Sequence, residues 1–166
     1  MNFLEELAAE WYGYQGYFIL RNVKFGKRAG GGYEGEMDIV AFDPQKQILH
    51  HIEVSGDADS WAQRIVRFKK KFQTATRHYR STFDFEFKEV EKIAIVGFAQ
   101  PKKQIDFGND ISILLIPEFV RTISSHLREI NPMREAIPEV YPLLRAIQFA
   151  VYFGKSTSKI RIINGL

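Results

Sequence analysis

The stretch Gly35–Ser55, GEMDIVAFDPQKQILHHIEVS, predicts two antiparallel strands joined by a tight turn. Turn chemistry lies at its centre, because proline presets a backbone dihedral angle and Asp43 can cap the turn. We expect Pro44-Gln45 to form a two-residue tip, so that Asp43 pairs with Lys46.

The turn sets the predicted register of the two strands. With Pro44-Gln45 at the tip, Asp38 lies opposite His51, and Glu53 shares that face of the sheet two residues further on. Such a diagonal pair is about 7–8 Å apart at the backbone, so two carboxylates can converge on one cation. A three-residue tip would instead turn Glu53 to the other face.

The same residues resemble a known family signature. Residues 35–41 (GEMDIVA) followed by 52–55 (IEVS) resemble the centre of the PD-(D/E)XK nuclease superfamily, and are most similar to its small Holliday-junction-resolvase-like members. In that family the last position of the signature is a lysine, whereas this chain has Ser55. The resemblance implies that Arg64 or Lys71, in the helix that follows, returns a cation to the site.

The resemblance also implies a cofactor and a set of site residues. The cofactor is Mg²⁺ or Mn²⁺, held by carboxylates and a main-chain carbonyl, and Mg²⁺ prefers such oxygen ligands. The implied metal ligands are Asp38, Glu53 and Val54, and the implied catalytic residues are Glu5, Asp38, Glu53 and Ser55.

The first helix is predicted over residues 2–14, with Asn2 as its cap. Residues 5–9 (EELAA) and 19–22 (ILRN) extend the resemblance to the family's opening helix and first strand. On that resemblance Glu5 is the helix carboxylate that binds the metal or a water on it. The alternative is that Glu5 only favours the helix N-terminus, where the helix dipole attracts anions.

Basic residues follow the two carboxylate strands. A long helix is predicted over residues 60–79, and no acid lies between Arg64 and Arg80 on its exposed faces. Such a run is usually a solvated face, but its position also favours a phosphate-binding surface. Residues 26–32 (GKRAGGG) are interpreted as a mobile hairpin loop, since no phosphate-loop pattern follows. The residues expected to contact nucleic acid are Lys24, Arg28, Arg64, Arg67, Lys70 and Lys71.

The rest of the chain alternates between strands and helices. Residues 83–87 (FDFEF) favour either a short edge strand or an extended connection. Strands are predicted over residues 17–25, 92–99 (central) and 111–116 (buried), and helices over 117–130 and 140–153. This order predicts an α/β fold with a mixed sheet, which the resemblance narrows to a restriction-endonuclease-like α/β/α sandwich. We expect one nuclease-like domain over residues 1–166, with 138–166 as a C-terminal helical appendage.

Composition restricts the class of protein. The chain of 166 residues has no cysteine, which excludes disulfides and zinc–thiolate sites and fits a reducing compartment. No run approaches the ~20 apolar residues that cross a bilayer, and Glu5 and Glu6 interrupt any early signal sequence. The net charge of +3 is only weak support for a polyanionic partner. We expect a cytoplasmic protein that does not act on membranes.

Three hypotheses for function follow. The first is a Mg²⁺-dependent endonuclease that hydrolyses phosphodiester bonds, with DNA the expected substrate. The second is an inactive, nuclease-like subunit that binds nucleic acid or serves assembly, with steep salt dependence. The third is a small structural protein whose final apolar helix docks a partner, and a homodimer also stays open. His51 is either a base or ligand of the site, or a histidine that is hydrogen-bonded in place.

Overall fold

The computed structural model describes residues 2–98, 107–108 and 110–154. The chain divides into two compact units, residues 1–119 and 120–166. The predicted loop at 101–109 and the predicted polar tail at 155–166 fall largely or wholly outside the described residues. The elements are α1 (Phe3–Tyr14), β1 (Phe18–Lys27), β2 (Tyr33–Asp43), β3 (Ile48–Ser55), α2 (Trp61–Thr76), α3 (Tyr79–Thr82), β4 (Glu89–Val96), β5 (Ile111–Leu114), α4 (Ile116–Arg128) and α5 (Pro142–Phe153).

A five-stranded mixed sheet organises the first unit. Its strand order is β1-β2-β3-β4-β5, with β1, β2 and β3 antiparallel and with β4 and β5 added in parallel. The α/β class predicted from the sequence is therefore confirmed, whereas the restriction-endonuclease-like form of the sandwich stays a prediction. The strand predicted near residues 92–99 lies inside the sheet as β4, between β3 and β5, whereas the burial predicted for the strand near 111–116 was wrong, since β5 is a part-exposed edge strand.

Helices α1 and α2 cover opposite faces of this sheet. The ring of His50 contacts Tyr12 of α1 at 6.1 Å between centroids, and the ring of His51 contacts Phe72 of α2 at 4.7 Å. Because consecutive side chains of a strand point to opposite faces, the two helices lie on opposite sides of β3. This arrangement decides which side chains can meet on the face of His51.

The turn of the hairpin is longer than the sequence predicted. Four residues, 44–47, connect β2 to β3, so the two-residue tip was wrong. The capping role of Asp43 is confirmed, since its Oδ1 accepts the N–H groups of Gln45 (2.9 Å) and Lys46 (3.1 Å). Gln47 closes the turn in the left-handed region at a φ of 59°.

The longer turn moves the register by two residues. Val40, not Asp38, lies opposite His51. An even displacement leaves every side chain on its predicted face, because strand side chains repeat with a period of two. The paired residues of the two strands run as far as Ile39 opposite Ile52, and one residue further along this register Asp38 falls opposite Glu53, so the two acids are nearer than the predicted diagonal pair.

Aromatic side chains seal the sheet beside α3. Residues 83–87 form an extended connection rather than a strand, which is the second of the two predicted alternatives. Phe83 and Phe87 are buried in a core cluster with Met37 and Val40, and Phe85 packs against it. The alternation of aromatic and polar residues in this segment therefore reflects burial of its aromatic side, although the segment pairs with no strand in the described part of the chain.

A buried glutamine organises the second unit. Gln148 of α5 accepts the N–H of Ile137 (2.9 Å) and donates to the carbonyls of Glu135 (2.8 Å) and Ile130 (3.3 Å). The helix predicted over residues 140–153 begins at Pro142 instead, and Val140, which precedes it, is 75% exposed. Among the described residues, no helix combines the length and the apolar character that crossing a membrane requires.

Candidate active site

Two carboxylates meet on neighbouring strands in the face that α2 covers. Asp38 projects from β2 with 16% of its side chain exposed, and Glu53 projects from β3 fully buried. The main-chain N–H of Val54 donates to Asp38 Oδ2 at 3.0 Å, which holds one oxygen of that carboxylate against β3. The structure thus brings together the Asp and the Glu that the sequence singled out.

Lys71 supplies the cation for this pair. Its Nζ is 3.2 Å from Asp38 Oδ1 and 3.4 Å from Oδ2, and it also donates to Glu53 Oε2. Phe68 and Phe72, three residues before and one after, are buried, so Lys71 lies on the side of α2 that faces the sheet. Of the two cations proposed to replace the lysine of the signature, the structure places Lys71 at the carboxylates.

Burial changes the protonation of these groups. Burial, and next the charge of Glu53, raise the pKa of Asp38 to about 6, although Lys71 opposes this. Burial likewise raises the pKa of Glu53. The pKa of Lys71 is raised: burial lowers it, but the charges of Glu53 and Asp38 outweigh that effect. Two carboxylates so placed need a positive charge between them in order to stay ionised together.

His51 completes the site on its buried side. Its Nε2 is 2.7 Å from Glu53 Oε1, and its Nδ1 is 2.6 Å from the hydroxyl of Tyr79. Burial lowers the pKa of His51 to about 3, so the ring is neutral near pH 7. Sequence reasoning predicted the shared face of His51 and Glu53 but gave no role to Tyr79, which it placed at the end of the preceding helix.

Ser55, in the lysine position of the signature, belongs to a separate ion-pair network. Its Oγ donates to Asp57 and accepts from Arg67 (3.2 Å). Arg64 also binds Asp57, through Nε (3.1 Å), and Arg67 further pairs with Asp59. The pKa of Asp57 is lowered to about 2: burial raises it, but hydrogen bonds from Ser55 and Arg67 outweigh burial.

This network corrects the sequence view of α2 as an exposed basic run. Arg64 was predicted on an exposed face but is only 7% exposed. The segment before α2 provides its counter-charge, and it neutralises Arg67 as well. Acid-free helix sequence therefore does not mean unpaired charge, because Asp57 and Asp59 lie just outside the helix.

The other residues predicted to bind nucleic acid are spread over two regions. Lys24 lies on β1, with its Nζ 5.8 Å from the centre of the Tyr33 ring, and Arg28 is exposed in the following loop. Lys70 is exposed on α2. Their roles stay predictions.

A cleft of about 310 Å³ opens beside the carboxylates. Glu34, Glu36 and Asp38 of β2 line one wall, and Arg67, Lys70 and Lys71 of α2 line the other. Phe25 and Gly35 form an apolar part of the lining, where a side chain at position 35 would meet the Phe25 ring. The positively charged side chains that could contact an anionic ligand in this cleft lie on α2.

Glu5 lies in the first turn of α1. Its carboxylate accepts from the main-chain N–H of Asn2 (3.1 Å) and from the Asn2 amide (2.6 Å), in a capping box. The predicted cap at Asn2 is confirmed, and the metal-binding role of Glu5 stays a prediction. Within residues 2–98, 107–108 and 110–154, no three His, Asp or Glu side chains are grouped as metal ligands.

Comparison of the chain with protein-family models, with curated proteins and with solved structures finds no match.

Proposed function

We propose that this protein is a metal-dependent nuclease of the PD-(D/E)XK type that hydrolyses phosphodiester bonds, with DNA as the expected substrate. The observation that supports the proposal most strongly is the convergence of Asp38 and Glu53 on one cation, the ammonium group of Lys71. An acid pair on adjacent strands with a lysine beside it is the arrangement that the sequence resemblance implies.

The donor set suits a divalent ion. Carboxylate oxygens of Asp38 and Glu53 are the ligands that Mg²⁺ and Mn²⁺ prefer, and the carbonyl of Val54 is a further oxygen in the proposed set. When bound, the ion would act as a Lewis acid on the phosphoryl group and lower the pKa of the attacking water. Glu5, the helix carboxylate that the resemblance implies, would act through a water on the metal.

The chain's own residues would do the rest. Lys71 would leave one or both carboxylates and direct its ammonium group to the phosphate, as the lysine of the signature does in the family. Lys70, exposed on the same wall of the cleft, would bind the phosphates beside the cleaved bond, and Arg67 would join it by exchanging Asp57 and Asp59 for phosphate oxygens. Ser55 would position Arg67 rather than act on the substrate, since the two are hydrogen-bonded.

The test measures cleavage of labelled single- and double-stranded DNA and RNA with Mg²⁺, with Mn²⁺ and with a chelator. We expect cleavage that requires the metal, and we expect Asp38→Asn and Glu53→Gln to abolish it. Asp43→Asn on the same strand and Glu91→Gln on the neighbouring strand make the same chemical changes away from the site, and should cleave normally. Cleavage that persists in Asp38→Asn would place the chemistry elsewhere.

A second candidate is the inactive, nuclease-like subunit that binds nucleic acid. Both carboxylate oxygens of Glu53 already have protein partners, His51 and Lys71, which favours a site that does not bind a metal ion. This candidate predicts binding that weakens steeply with salt and does not depend on Mg²⁺ or Mn²⁺. Titration of either ion against labelled nucleic acid separates the two candidates.

A further inference from the structure

A buried hydrogen-bonded chain runs from Tyr79 through His51 to Glu53. The Tyr79 hydroxyl is 2.6 Å from His51 Nδ1, and His51 Nε2 is 2.7 Å from Glu53 Oε1. His51 and Glu53 are fully buried, and Tyr79 is 4% exposed. Burying a polar side chain without a partner costs free energy. Three buried polar side chains that hydrogen-bond to one another therefore indicate a role beyond filling space.

The chemistry of the groups assigns the direction of each hydrogen bond. An ionised Glu53 can only accept, so Nε2 of His51 carries the hydrogen and donates it. The other ring nitrogen of a neutral histidine then accepts, and the hydroxyl of Tyr79 donates to it. The chain therefore selects a single tautomer of His51.

The two oxygens of Glu53 have separate tasks as a result. Oε1 is tied to His51, and Oε2 faces the Lys71 ammonium group. Lys71 in turn contacts Asp38, so the orientation of Glu53 decides whether both carboxylates address the same cation. Rotation of the Glu53 side chain would break this arrangement.

We propose that His51 and Tyr79 are positioning residues that hold the Glu53 carboxylate with one oxygen directed at the cation position shared with Asp38. In this role His51 is neither the general base nor a metal ligand, because both of its nitrogens are engaged within the protein. The catalytic consequence rests on the proposed nuclease function, but the positioning itself does not.

Packing of the His51 ring provides the competing explanation. The ring lies against Phe72 and Tyr79, at 4.7 Å and 5.7 Å between centroids, so a purely structural role would also place it here. His51→Leu fills the space without a donor, and His51→Gln retains an N–H that can reach Glu53. Tyr79→Phe keeps the aromatic ring and removes only the hydroxyl.

The first measurement uses the full chain without metal or substrate. The ¹⁵N signals of the His51 ring should report the Nε2–H tautomer, and Tyr79→Phe should shift the Nδ1 signal. The ammonium ¹H–¹⁵N signal of Lys71 should be visible in the wild type and in His51→Gln, and lost in His51→Leu. An Nδ1–H tautomer, or an unchanged Lys71 signal in His51→Leu, would overturn the proposal.

The second measurement uses Mn²⁺ affinity and cleavage. Loss of a hydrogen bond that orients a ligating carboxylate typically costs 10–100-fold in metal affinity or activity. We expect a loss of this size in Mn²⁺ affinity or kcat for His51→Leu, a smaller loss for Tyr79→Phe, and values near wild type for His51→Gln. His50→Leu, on the opposite face of β3, and Tyr17→Phe serve as matched controls and should change neither quantity.

The outcomes separate this inference from the proposed function. A wild-type protein that binds Mn²⁺ without cleaving defeats the nuclease proposal, while weaker Mn²⁺ binding in His51→Leu still supports positioning. If the wild type neither binds Mn²⁺ nor cleaves, the Lys71 signal alone decides the inference. Equal Mn²⁺ affinity and kcat in the wild type and His51→Leu would show that the histidine only fills space.

Discussion

Asp38→Asn is expected to stabilise the protein at neutral pH while removing its proposed activity. Burial and the charge of Glu53 raise the pKa of Asp38 from 3.8 to about 6. Below pH 3.8 this carboxyl is protonated in both folded and unfolded chains. Between pH 3.8 and 6 only the unfolded chain loses the proton, so folding stability falls as the pH rises through that range.

The pKa change sets the size of the effect. A rise from 3.8 to about 6 corresponds to about 3 kcal/mol of stability lost by pH 7. Asparagine has the same shape, can accept the Val54 N–H, and can donate to Glu53, which also contacts Asp38. The variant therefore removes the ionisation without leaving a cavity, and the gain is typical of a site where function opposes stability.

Urea denaturation at a series of pH values from 3.5 to 8 measures the free energy of unfolding of both proteins. The free energy of unfolding of the variant minus that of the wild type should increase by up to about 3 kcal/mol as the pH rises, mainly between pH 4 and 6. Asp43→Asn is the control, because the pKa of Asp43 is lowered and its difference should change in the opposite direction. A difference for Asp38→Asn that does not change with pH would refute the reasoning.

Three further predictions concern charge, backbone and buried polar groups. Lys71→Met should destabilise the protein by about 2–3 kcal/mol at pH 8, which is less than for a fully buried ion pair because the Lys71 side chain is 37% exposed. The destabilisation should be smaller at pH 4, and urea denaturation at both pH values tests this. Asn22 of β1 has a φ of 52°, so Asn22→Gly should match the wild type while Asn22→Val loses about 1–2 kcal/mol, and equal stability of the two variants would contradict this. Gln148→Leu removes the side-chain partner of one buried and two part-buried main-chain groups and should cost about 2–4 kcal/mol, with faster hydrogen exchange at the Ile137 amide; unchanged exchange there would refute the assignment.

Sequence alone was sufficient for features that depend on neighbouring residues. The cap at Asn2, the turn at Asp43 and the shared face of Asp38 and Glu53 follow from local geometry. The period of two in a strand kept those faces correct although the turn was two residues longer than predicted. The order of helices and strands also predicted the α/β class correctly, because each element depends mainly on neighbouring residues.

The tertiary structure decided which charges meet. Lys71 reaches Asp38 across 33 residues of sequence and Glu53 across 18, and Tyr79 reaches His51 across 28. Sequence reasoning offered both Arg64 and Lys71 as the cation of the site, and only the packing of α2 on the sheet separates them, because Lys71 meets Asp38 and Glu53 whereas Arg64 pairs with Asp57. Local periodicity therefore determined the faces of the site, and long-range packing determined its ionic partners, because a Coulombic contact depends on distance in space and not along the chain.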